Sequence, residues 1–85
     1  MTVLAGILSS KQADLLKPRR LVARALHISM ERVHEDTSIN TLEAWDSLGG
    51  LRIVLAIEEA MGTELTIDQI VSIESVRDIA NLLQL

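Results

Sequence analysis

The sequence predicts an all-α domain, and three observations carry that expectation. Apolar residues make up 48% of the chain, yet Trp45 is the only aromatic one. A core of Leu, Ile, Val, Ala and Met suits packed helices, whereas a small sheet usually draws on aromatic side chains. Apolar residues also recur at helical spacing, most clearly Val54, Ile57 and Met61 at i, i+3 and i+7. Cap signals bracket the periodic stretches: Asp46 before one and Gly62 after it, then Thr66 and Ser75 before the next two. At 85 residues the chain is expected to form one small domain, a bundle of three main helices and one short one.

Composition narrows the function classes. With no cysteine there is no disulfide framework, no thiolate metal site and no thiol nucleophile, which fits a cytoplasmic setting. No apolar run approaches the ~20 residues of a membrane span, and the N-terminus lacks the basic start of a secretory signal. No membrane partner is therefore expected. The net charge of −4 is unevenly spread. Residues 1–29 hold five cations and one acid (+4), and residues 30–85 hold three cations and eleven acids (−8). An acidic body argues against nucleic acid as a partner. It favours proteins with basic docking surfaces, and a monomer is expected.

Residues 1–13 read as an N-terminal extension to a domain over 14–85. Val3, Leu4, Ile7 and Leu8 have helical spacing, but Gly6 and Ser9-Ser10 interrupt it. A frayed terminus and a short extra helix are both open. The first main helix is expected from Asp14 to Leu26, with Leu15, Leu16, Leu21, Val22, Ala25 and Leu26 as its apolar stripe. Pro18 belongs in or near its first turn, where the missing N–H costs least. Lys17, Arg19, Arg20 and Arg24 make its polar face, and His27 suits its negative end.

Residues 28–45 form a connection long enough to need a purpose. Ser29 is placed to cap a turn through Met30, Glu31, Arg32 and Val33. Val33, Ile39 and Leu42 read as anchors that pin the loop to the bundle. His34, Glu35 and Asp36 are poorly spaced for one metal ion and read as a solvated run. The second helix is expected from Ser47 to Met61, with Val54, Ile57 and Met61 inward and Leu51, Leu55 and Glu58 on a neighbouring face beside Arg52 and Glu59. Gly62 suits a left-handed helix end. Thr66 and Gln69 fit a capping box opening a short third helix to about Ser72. Ser75 caps the last helix, which Val76, Ile79, Ala80, Leu82 and Leu83 pack inward.

The chain is organised around Trp45-Asp46-Ser47-Leu48-Gly49-Gly50. Asp46 can accept a free N–H of the first turn. Ser47 then sits at the first helical position, where a phosphate ester would meet unpaired N–H groups and the positive end of the helix dipole. Two glycines there cost roughly 1 kcal/mol each in helix propensity. That cost points to close approach by a ligand or another backbone.

Asp46-Ser47-Leu48, followed by an apolar helix ending in Glu58-Glu59-Ala60-Met61-Gly62, resembles the acyl carrier protein family, which includes aminoacyl and peptidyl carriers. The resemblance runs from about Asp14 to Leu85. It implies a four-helix bundle of acyl-carrier type. It also implies a 4′-phosphopantetheine arm on Ser47, with Asp46 and Leu48 completing the recognition motif. Acyl or aminoacyl groups then ride as thioesters on a thiol that this chain otherwise lacks. The implied partners are a phosphopantetheinyl transferase, which takes the arm from coenzyme A, an acyl- or aminoacyl-loading ligase, and downstream synthases or transferases. In the family one face of the second helix docks these enzymes, which implicates Leu51, Arg52, Leu55, Glu58 and Glu59.

Fatty-acid carriers usually place acids early in that helix, where this chain has Gly49, Gly50, Leu51 and Arg52. A dedicated pathway is therefore expected over housekeeping fatty-acid synthesis. The residues give little support to an enzyme: neither His27 nor His34 forms a motif with Ser47, and no Gly-rich phosphate loop or paired metal motif is present. The alternative is a helix-bundle interaction module with no prosthetic group, in which Asp46 and Ser47 only begin a helix.

Overall fold

A computed structural model describes residues 15–83. The N-terminal extension lies outside the described residues. Four helices follow in order: α1, helical over 15–26; α2, Ser47–Met61; α3, Ile67–Val71; and α4, Val76–Leu82. A single 3-10 turn, Met30–Arg32, sits in the long connection. No strand occurs among the described residues, so the all-α expectation holds. Nor is any described helix long and apolar enough to cross a membrane.

Local chemistry sets the helix ends as the sequence predicts. The Asp46 carboxylate accepts from the Gly49 N–H at 2.8 Å. Gly62 ends α2 at φ 72°, its N–H donating to the Glu58 carbonyl. Thr66 and Gln69 form the reciprocal capping box, and Ser75 accepts from the Asp78 N–H. Ser29 likewise caps the 3-10 turn. One end departs from expectation. His27 adopts φ 57°, the left-handed slot that glycine usually fills at a helix end, and the next N–H, of Ile28, returns to the Ala23 carbonyl at 3.0 Å.

The core is one cluster. Val22 and Leu26 of α1 meet Ile53, Val54 and Ile57 of α2, with Leu65, Ile73, Val76 and Ile79 closing the far side. Val33, Leu42 and Trp45 bring the long connection into it. Two predicted inward residues lie outside: Leu16 is exposed at the edge of α1, and Ile39, expected to anchor the loop, is 44% exposed. Backbone pairing does the work expected of Ile39. Its N–H donates to the Glu74 carbonyl at 2.8 Å, and the Val76 N–H donates to the Thr37 carbonyl at 3.0 Å. These bonds flank an isolated bridge between Ser38 and Ser75. Arg19 adds a second tether, its Nε donating to the Val33 carbonyl at 2.7 Å.

Candidate phosphopantetheine site

The site is built where the long connection delivers the chain to α2. Trp45 is buried, and its ring fixes the approach to the helix. Asp46 follows as an extended N-cap residue, which turns Ser47 outward at the first helical position. Ser47 and Leu48 are both exposed. Ser47 also stands apart from the other serines among the described residues. Ser29, Ser38, Ser72 and Ser75 each commit the hydroxyl to a local hydrogen bond. Among the described residues the Ser47 hydroxyl makes none and is left available for chemistry. Asp46 occupies the Gly49 N–H, so the first-turn N–H groups of Ser47 and Leu48 are left for solvent or for a phosphate oxygen.

The glycine pair does two separate jobs. A Cβ on Gly49 would collide with the Ala44 carbonyl oxygen and come within 2.9 Å of Leu26 Cδ2. The close approach anticipated from the sequence is therefore to the chain's own backbone. A Cβ on Gly50 would meet nothing nearer than Trp45 Nε1 at 3.9 Å. Gly50 instead borders an open groove of about 670 Å³ that begins at Ser47. Ile39 and Trp45 form one wall, Leu51 and Val54 of α2 another, and Ile70 and Ile73 the third. The exposure of Ile39 is thereby explained, since its side chain lines this groove. Sequence reasoning missed Ile39, Ile70 and Ile73 here, because side chains from three segments converge only in the fold.

The remaining predicted site residues fall into two groups. Leu51, Arg52, Leu55 and Glu59 are exposed along α2 beside Ser47. Glu58 is half-buried, and its carboxylate accepts from the Leu65 N–H at 2.8 Å, which holds the chain leaving α2. That second use of Glu58 was not visible in the sequence, as the two residues are seven apart. His34, Glu35 and Asp36 stay in solvent, and Glu35 pairs with Arg77 at 3.6 Å. No group able to hold a metal ion occurs among the described residues.

A family model for the phosphopantetheine attachment site matches residues 19–83. The chain belongs to the acyl carrier protein family. It is also 29% identical over 66 residues to acyl carrier protein 3 of Ralstonia nicotianae, an alignment covering 78% of this chain and 76% of that relative. The prosthetic group of this carrier is covalently attached 4′-phosphopantetheine. Acyl carrier proteins carry their cargo and leave catalysis to other proteins. The geometry fits such a group: a free hydroxyl at a helix N-terminus, unpaired N–H groups beside it and an apolar groove leading away.

Proposed function

We propose that Ser47 is the attachment residue and that this carrier delivers acyl or aminoacyl groups in a dedicated pathway. The observation that carries the assignment is Ser47's exposed, uncommitted hydroxyl at the start of α2, directly beside the groove. When attached, the arm supplies a terminal thiol that holds the cargo as a thioester. The chain's own residues do the rest. Asp46 caps the helix and so fixes the direction of the serine. The N-terminal field of α2 favours a phosphodiester at that point. Gly50 keeps the mouth of the groove clear, and Ile39, Leu51 and Ile70 give it an apolar lining. Tethering raises the effective concentration of the cargo at each partner's active site.

The proposed docking ridge is Leu51, Arg52, Leu55 and Glu59, with Glu58 beside it. Its partners are a phosphopantetheinyl transferase, a loading ligase and downstream synthases or transferases. Arg52 supports the dedicated pathway, because a cation there is repelled by the basic surfaces that suit acidic carriers.

Incubation with a phosphopantetheinyl transferase and coenzyme A tests the site by intact mass. The chain is expected to gain one phosphopantetheine, and Ser47→Ala none. Labelling that survives in Ser47→Ala would overturn the assignment.

A further inference from the structure

A second groove, of about 460 Å³, runs between α1 and α2. At about 100° per residue, its α2 residues Ala56 and Ala60 lie on average roughly 130° around that helix from Ser47, Gly50 and Val54, so the two grooves open on different sides of it. Its apolar lining is mostly short, because Ala25, Ala56 and Ala60 contribute only methyl groups beside Leu21. Along one rim stand Lys17, Arg20 and Arg24, all exposed on α1. Glu59 is the one acid on the lining. Among the described residues the sole ion pair joins Arg77 to Glu35, on other segments, so none of these α1 cations forms a salt bridge with an acid described there.

We propose that this groove docks an acidic amphipathic helix of a partner protein. The chemistry follows from the two parts of the surface. An apolar trough between two helices accepts the apolar face of a third. Small side chains along its floor let that helix approach closely. From Lys17 to Ala25 the trough runs along nine residues of α1, eight rises of about 1.5 Å or about 12 Å, which is roughly two turns of a docked helix. Three cations along the rim then select for acids flanking the apolar face. Nucleic acid fits poorly, since the floor is apolar and residues 30–85 carry −8 overall. A partner held here would leave Ser47 and its groove open, so the carrier could be retained while its arm is in use. The inference goes beyond the attachment site and does not depend on which residue is modified.

The test is a titration of the whole 85-residue chain followed by amide chemical shifts. The probe is a synthetic helix with a Leu/Ala seam flanked by Glu, compared with the same peptide carrying Gln in place of Glu. The acidic peptide is expected to move the Ala56 and Ala60 amides and to bind at least about tenfold more tightly than the Gln analogue at low salt. Arg20→Glu/Arg24→Glu, at exposed positions, is expected to weaken binding by a similar factor with an unchanged circular dichroism spectrum. Arg24→Gln alone is expected to weaken it less and gives a milder variant if the double change disturbs folding. Equal binding of the two peptides, or no shift at Ala56 and Ala60, would overturn the proposal. So would finding that residues 1–13 or a second copy of the chain already fill the groove in the free protein.

Discussion

The two faces of α2 use the same kind of residue to opposite ends. Ile53 and Ile57 are completely buried, while Leu51 and Leu55 are 54% and 56% exposed. Leu48 stands out beside Ser47 in the same way, at 57%. Burying such a side chain fully is worth about 1.5–3 kcal/mol. The outer leucines forgo much of that, in a small domain that has little stability to spare. A row of exposed apolar side chains beside a free serine is what a transient contact surface requires. The inner face holds the helix in place, and the outer face is available to be covered and released.

The largest effect should come from placing one charge on each face in turn. Ile57→Asp puts an unpaired carboxylate among Val22, Leu26 and Ile79 and is expected to cost more than about 4 kcal/mol. Leu55→Asp, two residues away, is expected to stay within about 1 kcal/mol of wild type. Thermal or urea unfolding of the two variants checks the contrast. Comparable losses would mean that the outer leucines are structural and would remove the docking ridge.

A second pair sharpens the same contrast at the start of the helix. Gly49→Ala adds a methyl against the Ala44 carbonyl and Leu26, and is expected to destabilise by about 2 kcal/mol after the gain in helix propensity. Gly50→Ala adds the same methyl at ordinary contact distance from the Trp45 ring, with no clash, and is expected to stabilise by about 0.5 kcal/mol. Denaturant midpoints of both variants decide the matter. Outcomes of opposite sign from adjacent, identical residues would show that Gly49 serves packing and Gly50 serves access. If Gly50→Ala also destabilises, the space beside Trp45 is not free.

Local signals made much of this fold legible, and long-range ones stayed hidden. Asp46, Gly62, Thr66 with Gln69, and Ser75 act within four residues of themselves, so the sequence shows both partners of each cap. Periodicity found Val54 and Ile57 but passed over Ile53, although i and i+4 share a face and Ile53 lies four residues before Ile57. His27 at φ 57° had no cue, because a non-glycine residue in that slot is uncommon, although histidine tolerates it better than most. The loop tethers were illegible for a different reason. Arg19 to Val33, Ile39 to Glu74 and Glu58 to Leu65 join backbone groups to partners 14, 35 and 7 residues away, and no residue type announces such a bond. At the site the motif residues were readable from Asp46 to Leu48, whereas the groove needs Ile39, Ile70 and Ile73 brought from two other segments.

The smallest expected effect lies on the outer face itself and concerns choice of partner. Arg52 is exposed four residues after Leu48 and three before Leu55, so it sits within the apolar ridge. A cation there repels the basic surfaces that suit acidic carriers, while the leucines supply contact to any partner. Arg52→Glu is therefore expected to leave the melting temperature within about 1 °C of wild type, as an exposed change far from the core. It should raise the rate of acyl transfer with a fatty-acid synthase partner. A rim charge is worth about 0.5–1 kcal/mol at low salt, so the gain should be about two- to fivefold. Charges on a rim act through the encounter rate, and the Debye length falls to about 3 Å at 1 M salt, so the gain should vanish there. Transacylation rates of both proteins at low and high ionic strength check both parts. A variant no faster than wild type at low salt would remove Arg52 as a determinant of specificity. The basic rim of α1, with Lys17, Arg20 and Arg24, would then be the surface on which partners are sorted.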